Sequence, residues 1–227
     1  MTIDQTALEY IHDGAFVGLG SGRAATAFVR SLGARVQAGL RIRGVPTSEG
    51  TAQVAREVGI PLTTLDEIEE LDLTVDGADE VDPKLDLIKG YGAALVREKI
   101  VAASSKKLVI LVGDEKLVPV LGARGILPVE VVPFGEALCR RRLRTLGLDS
   151  QPRMKDGRVL ITDNGNLILD CKVAAIADPA RLDRDILQIP GVLGTGIFAG
   201  MAHLVLVQRG DRVEVMEREG RGLGVRG

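Results

Sequence analysis

The side chains most suited to chemistry lie in two neighbouring stretches of the sequence. Asp76 and Asp79 come directly after an apolar run at residues 71–75, and Lys89 and Glu98 follow within one further stretch. Carboxylates can accept and return protons, and a lysine can stabilise developing negative charge. These four residues are therefore the candidate catalytic groups, and the chemistry they predict is proton transfer.

Glu98 is the candidate general base because of its place on a predicted helix. The helix runs from Gly92 onward, and helical spacing surrounds Glu98 with Ala94, Leu95, Val101 and Ala102. Its opposite face carries Val96, Ile100 and Ala103, and a helix that is apolar on two faces is usually buried. A buried carboxyl without a full ion pair has a raised pKa, as a base near neutral pH requires. Pairing of Glu98 with a neighbouring Arg or Lys stays open as the alternative.

A glycine-rich turn near the start of the chain predicts a place for an anion. Gly18, Gly20 and Gly22 follow one another at every second position, between a predicted strand and a predicted helix. Free backbone N–H groups at a helix start favour phosphate. The spacing differs from the dinucleotide fingerprint, so one phosphate fits better than a dinucleotide. A tight turn without a ligand is the alternative.

Strands and helices alternate through the first half of the chain, and this order positions the candidate residues. The predicted strands cover residues 16–20, 42–45, 60–65, 71–75 and 108–112, with helices at 4–12, 23–38, 50–58 and after Gly92. Alternation of this kind indicates an α/β fold, a Rossmann-like, mostly parallel sheet with helices on both faces. Ligands of such sheets bind beyond the carboxyl ends of the strands, which is where Asp76 and Asp79 fall.

A different order begins near residue 125 and indicates an inserted domain. Strands are predicted at 128–133, 149–154, 158–162, 166–171 and 192–198, with helices at 135–146 and 179–188. The Asn164-Gly165 pair predicts a hairpin between the third and fourth of these strands. The order predicts a ferredoxin-like α+β domain at 125–200. The catalytic α/β domain then comprises 1–124 and 201–220, rejoined by strands at 203–207 and 213–216, and 221–227 is a flexible tail.

Composition excludes several classes of function. Net charge is −2 and aromatic residues make up 3% of the chain, so a nucleic-acid partner is not expected. The chain has two histidines and two cysteines without metal-ligand spacing, so a metal site is not predicted. No apolar run suggests a signal region or a membrane span, which predicts a soluble, cytoplasmic protein without a membrane partner.

Several motifs in order along the chain resemble those of the A-type ribose-5-phosphate isomerase family. They are Gly-Leu-Gly-Ser-Gly at 18–22, Asp-Gly-Ala-Asp-Glu at 76–80, Lys-Gly-Tyr-Gly-Ala-Ala-Leu-Val-Arg-Glu-Lys at 89–99, Pro-Val-Glu-Val at 128–131, Thr-Asp-Asn-Gly-Asn at 162–166 and Ile-Pro-Gly-Val at 189–192. The resemblance implies interconversion of D-ribose 5-phosphate and D-ribulose 5-phosphate in the non-oxidative pentose phosphate branch, without a cofactor. It also implies a homodimer or homotetramer.

The resemblance assigns roles residue by residue. It implies that Glu98 transfers the proton. The implied substrate contacts are an acidic loop of Asp76, Gly77, Ala78 and Asp79, a second loop of Lys89, Gly90, Tyr91 and Gly92, a phosphate-side loop of Ser21, Gly22, Arg23 and Ala24, and Lys116.

Two positions depart from the family pattern. The family usually has Thr-Gly-Ser-Thr at 21–24, so two hydroxyls are lost and the Arg23 guanidinium is gained, with Thr26 as a substitute hydroxyl. Tyr91 stands where the family usually has glycine, so either its backbone is ordinary or the loop is reshaped.

Three other classes of protein fit these residues less well than an isomerase. A magnesium-dependent phosphohydrolase would need an Asp-x-Asp pair, whereas Asp76 and Asp79 are spaced differently. A sugar-phosphate sensor would not need Glu98. A dinucleotide enzyme is disfavoured by the glycine spacing.

Overall fold

The computed structural model describes residues 2–218. The helices are α1 (Ile3–Leu8), α2 (Arg23–Gln37), α3 (Glu49–Glu57), α4 (Leu95–Ala103), α5 (Glu136–Thr145) and α6 (Pro179–Leu187), with short 3-10 helices at Asp114–Lys116 and Pro133–Gly135. The strands are β1 (Phe16–Leu19), β2 (Arg43–Pro46), β3 (Leu73–Gly77), β4 (Glu80–Val81), β5 (Leu87–Ile88), β6 (Leu108–Gly113), β7 (Ile126–Val131), β8 (Ser150–Pro152), β9 (Met154–Lys155), β10 (Arg158–Val159), β11 (Leu167–Lys172), β12 (Val192–Thr195), β13 (Ile197–Phe198), β14 (Leu204–Arg209) and β15 (Arg212–Glu217).

The main sheet has six strands in the order β15-β14-β6-β3-β1-β2. All neighbouring pairs are parallel except β14 with β15. The chain passes from β1 outward to β2 and then returns to β3 on the other side of β1. The carboxyl ends of β1 and β3 therefore form the switch point at which ligands bind in open α/β sheets.

Alternation along β3 sends its side chains to two different layers. Leu73 and Val75 pack into a core that includes Phe28 of α2. Thr74 points the other way, where its hydroxyl lies 2.6 Å from that of Ser105, directly after α4. Helices thus cover both faces of the sheet, as predicted, and Asp76 lies on the α4 face.

The inserted part forms a second sheet in the order β12-β7-β11-β8, with all neighbouring strands antiparallel. With α5 after β7 and α6 after β11, this is the ferredoxin-like arrangement that was predicted. A separate apolar core, which includes Val129, Leu143, Leu169 and Ile186, fills it. β14 and β15 complete the first sheet. The boundaries 1–124 with 201–220 and 125–200 stay predictions, and the predicted tail at 221–227 lies outside the described residues.

Four predicted elements were wrong in part. Residues 60–65 form a single bridge, from Leu62 to Gly44, because Pro61 has no N–H and the chain turns at residues 65–66. Residues 158–159 pair with β9 across an Asp156-Gly157 turn, and Ile161 alone bridges toward β11.

The predicted strand at 192–198 divides at Gly196, after which β13 pairs with β5. The helix after Gly92 begins only at Leu95, because residues 90–93 form a turn closed by a 3.0 Å bond from Ala93 N–H to Gly90 O. Within residues 2–218, no helix combines the length and apolarity needed to cross a membrane.

Candidate active site

A cavity of about 300 Å³ opens at the carboxyl ends of β1, β3 and β6. Its lining consists of Ser21, Gly22, Arg23, Ala24, Gly77, Ala78, Asp79, Lys89, Gly90, Gly92, Glu98, Leu111, Val112, Gly113, Glu115 and Lys116. The predicted site residues thus come together here, except that Asp76 and Tyr91 do not line the cavity.

Asp76 lies behind the cavity wall and is 1% exposed. Its Oδ1 accepts hydrogen bonds from the N–H of Gly77 at 2.7 Å and of Ser21 at 3.0 Å. Its Oδ2 lies 3.0 Å from Lys89 Nζ. Burial raises the pKa of Asp76, while Lys89 and the two N–H groups oppose that rise. Asp76 is therefore placed to hold Lys89 and the end of β1.

Lys89 connects the two buried carboxylates. Its Nζ donates to the carbonyl of Gly77 at 2.6 Å and lies 3.2 Å from Glu98 Oε2. The ring of Phe198 lies beneath it, with 5.5 Å between Nζ and the ring centroid. Burial alone would lower the pKa of Lys89, but the charges of Asp76, Glu98 and Asp79 outweigh burial and raise it. Lys89 thus stays cationic beside the cavity.

Glu98 projects from α4 toward Lys89 at the cavity wall and is 4% exposed. Its Oε2 is buried and lies 3.2 Å from Lys89 Nζ, at ion-pair distance, but it accepts no well-aligned hydrogen bond from any described residue. Burial raises the pKa of Glu98 to about 8, with Lys89 opposing the rise and Asp76 and Asp79 adding to it. The two alternatives for Glu98 therefore hold together: it is buried, and it is paired with a lysine.

The expectation that α4 is buried on two faces was wrong. Leu95, Val101 and Ala102 are buried on the face of Glu98, whereas Ile100 on the opposite face is 49% exposed. One apolar face is enough to bury Glu98.

Gly18 within β1 and Gly20 directly after that strand serve close packing. A Cβ at Gly18 would collide with Thr74, and one at Gly20 would collide with Asp76. Gly22 caps α2 with a φ of 90°, a conformation that favours glycine. Gly18 and Gly20 therefore let β1 approach β3 closely enough for Ser21 N–H to reach Asp76.

The phosphate-side loop offers a helix start, but not a free serine hydroxyl. Ser21 Oγ lies in a cluster of hydroxyls, 2.8 Å from Thr47 and Ser48 and 3.2 Å from Thr51. The first helical bond runs from Thr26 N–H to the carbonyl of Gly22, so the N–H groups of residues 23–25 have no helical acceptor. The exposed Arg23 lines the cavity, whereas Thr26, the suggested substitute hydroxyl, does not.

Asp79 and Tyr91 are joined through the backbone. Tyr91 N–H donates to Asp79 Oδ2 at 3.0 Å, and the Tyr91 side chain packs against the core of the second sheet. The backbone of Tyr91 is ordinary, since the positive φ angles fall at Gly90 (104°) and Ala93 (62°). Lys116 ends the short 3-10 helix after β6 and faces the cavity.

Sequence reasoning missed Glu115, which lines the cavity beside Lys116, and Arg153, which bonds to the carbonyls of Gly90 and Tyr91. Glu115 could have been suspected from the acids that follow the strand at 108–112. Nothing in the sequence around Arg153 singles it out.

Fold and site define an α/β enzyme whose small cavity, at the carboxyl ends of parallel strands, is lined by carboxylates and by lysine and arginine side chains. The model of the family "Ribose 5-phosphate isomerase A (phosphoriboisomerase A)" matches residues 43–212. The chain belongs to this family and is an aldose–ketose isomerase.

Similar proteins support the assignment over nearly the whole chain. The ribose-5-phosphate isomerase A of Roseiflexus sp. (strain RS-1) is 51% identical, over 91% of this chain and 90% of its own. The structure of ribose 5-phosphate isomerase A from Methanocaldococcus jannaschii has a TM-score of 0.91 at 38% identity, and the match covers 95% of this chain and 96% of that chain. A D-ribose-5-phosphate isomerase solved in complex with phospho-erythronic acid has a TM-score of 0.91 at 39% identity, with the same coverage.

Proposed function

We propose that this enzyme interconverts D-ribose 5-phosphate and D-ribulose 5-phosphate through an enediolate, with Glu98 as the base, in the non-oxidative pentose phosphate branch. One observation carries the assignment of the base. Glu98 lines the cavity with its pKa raised to about 8, although its buried Oε2 lies only 3.2 Å from the Lys89 ammonium. A carboxylate with this pKa is basic enough near neutral pH to take a proton from substrate.

Each step of the isomerisation has a group suited to it. Glu98 removes the proton from C2 of the open-chain aldose and returns it to C1. Negative charge on the sugar oxygens is stabilised by the Lys89 ammonium, which the raised pKa keeps protonated. Asp79, held through Oδ2 by Tyr91 N–H, carries the hydroxyl proton from O2 to O1. Atoms and charge balance without any other reactant.

The phosphate is bound away from the reacting carbons. The N–H groups at the start of α2 offer donors, and Arg23 and Lys116 line the same cavity with positive charge. Binding energy at this anchor orients C1 and C2 toward Glu98. Phospho-erythronic acid, which is bound by the relative described above, combines a phosphate with a sugar acid, and we expect it to compete with ribose 5-phosphate here.

The test replaces the base while keeping its shape. Glu98→Gln should cut turnover by roughly 10²–10⁴-fold while ribose 5-phosphate still binds. In deuterated water the wild-type enzyme should place deuterium next to the product carbonyl, and the variant should do so far more slowly.

Glu115→Gln is the matched control, since it makes the same change at another glutamate of the cavity. It should retain turnover within about tenfold, because no proton transfer is assigned to it. Near-normal turnover and exchange in Glu98→Gln would instead assign the proton transfer to Asp79, the other predicted catalytic carboxylate that lines the cavity.

A further inference from the structure

Arg153 reaches from the second sheet to the loop that lines the cavity. Its Nη1 donates to the carbonyl of Gly90 at 2.7 Å and to that of Tyr91 at 2.9 Å. Its Nε and Nη2 donate to Asp170 at 2.9 and 2.5 Å. The side chain is 12% exposed. Because both edges of the planar guanidinium are bonded, its position is fixed from two sides.

The loop that Arg153 holds has an unfavourable backbone. Gly90 has a φ of 104° and Ala93 a φ of 62°, and Ala93 carries a Cβ that disfavours this region. Such conformations persist where the surroundings over-determine them. The Gly90 carbonyl accepts from Ala93 N–H at 3.0 Å as well as from Arg153. Arg153 therefore adds a charged donor to the carbonyl that closes the turn leading into α4.

The same loop contacts the Asp79 carboxylate through one peptide unit. The carbonyl of Gly90 and the N–H of Tyr91 belong to a single planar peptide. Arg153 donates to the oxygen of this peptide, and the N–H of the same peptide donates to Asp79 Oδ2 at 3.0 Å. Rotation of this peptide would break both bonds at once. A charged donor on the oxygen also polarises the N–H and strengthens its bond to the carboxylate.

We propose that Arg153 is a positioning residue for catalysis. By holding the peptide between Gly90 and Tyr91, it keeps Asp79 oriented toward the sugar oxygens. The inference rests on the proposed function, in which Asp79 moves the hydroxyl proton. It also gives the second sheet a part in the reaction, although the groups assigned to the chemistry all lie outside it.

Steady-state kinetics on ribose 5-phosphate provide the test. The wild-type rate tests the proposed function, and the ratios between variants test the role of Arg153. Arg153→Met should lower kcat roughly 10-fold to 100-fold, with a smaller change in KM, since the phosphate anchor lies elsewhere. The kcat of Arg153→Lys should lie between those of the wild type and Arg153→Met, because an ammonium cannot bond to Asp170 and two carbonyls at once.

Arg140→Met is the matched control: it removes an arginine paired with Glu136 on the same unit, without contact to the loop. It should leave kcat unchanged. In an Asp79→Asn background, Arg153→Met should change kcat by less than about threefold, because its effect passes through Asp79. Loss of structural support alone would predict equal losses in both backgrounds.

An equal loss in both backgrounds, or wild-type kcat in Arg153→Met, overturns the proposal. If Arg153→Met does not fold, Asp170→Asn serves instead, since it keeps the guanidinium and loosens one edge. Its smaller loss of kcat should likewise vanish in the Asp79→Asn background, and an equal loss there overturns the proposal.

Discussion

Asp76→Asn should move the pH dependence of the enzyme toward acid. Asp76 does not line the cavity, yet its charge helps to raise the pKa of Glu98. The variant removes that charge, so Glu98 becomes the remaining carboxylate paired with the Lys89 ammonium. Ionised Glu98 is then favoured, so its pKa falls, and the base is available at lower pH.

The distances give the size of this change. Lys89 Nζ lies 3.0 Å from Asp76 Oδ2 and 3.2 Å from Glu98 Oε2, so the two oxygens are separated by roughly 6 Å at most. Two charges at that distance interact by roughly 3 kcal/mol at an effective dielectric constant of about 20, which corresponds to a change of about 2 in the pKa of Glu98. Since Lys89 lies between them and screens part of this, we expect a fall of about one pH unit.

The assay is kcat/KM for ribose 5-phosphate across neutral and alkaline pH. In the wild type kcat/KM should rise with pH through about 8 as Glu98 ionises, and in Asp76→Asn the rise should lie about one unit lower. Lys89 keeps Glu98 and the Gly77 carbonyl as partners, so the variant should fold, with a stability loss of about 3 kcal/mol at most. Asp72→Asn, which changes a carboxylate paired with Lys106, should leave the profile unmoved. An unmoved or alkaline-shifted profile in folded Asp76→Asn would refute this reasoning.

Further tests address stability, the anchor, metal dependence and assembly. Because its pKa is raised in the folded state, Glu98 contributes stability that is lost as pH rises from 4.5 to about 8; thermal melts of Glu98→Gln should lack this loss, and parallel melting curves would contradict it. Arg23→Ala should raise KM more than it lowers kcat, and unchanged kinetics would leave the phosphate to the backbone alone. Activity should survive dialysis against EDTA; a loss restored by one divalent ion would contradict the prediction. Light scattering at micromolar concentration should report at least a dimer, and a monomer would refute this. We predict that residues 125–200, where Phe134 is fully exposed, supply part of the interface.

Local periodicity was enough to find the strand and the helix that carry the candidate catalytic carboxylates. Alternation placed Leu73 and Val75 in one layer, and helical spacing placed Glu98 among small buried residues. Both patterns depend on neighbours within a few residues, which a sequence displays directly.

Contacts between distant segments were beyond such reasoning. Lys89 meets Asp76 and Glu98 because β5 pairs with β4 and β13 in a separate small sheet, and no local pattern predicts that pairing. Arg153 lies 63 positions from Gly90 in the sequence, and its carbonyl acceptors belong to a backbone whose direction only the fold determines. The missing strand at 60–65 shows the converse, since an apolar run cannot pair fully where Pro61 lacks a donor.

Gly18 within β1 and Gly20 directly after it also set where this enzyme can be redesigned. Even an alanine at Gly20 would displace Asp76, and with it Lys89 and Glu98, so that position tolerates no side chain although Gly20 does not line the cavity. Arg23, three residues further along the chain, is exposed and lies outside that packing constraint. A library that aims to change how the phosphate is held should therefore diversify residues 23–24 and keep Gly18 and Gly20 fixed.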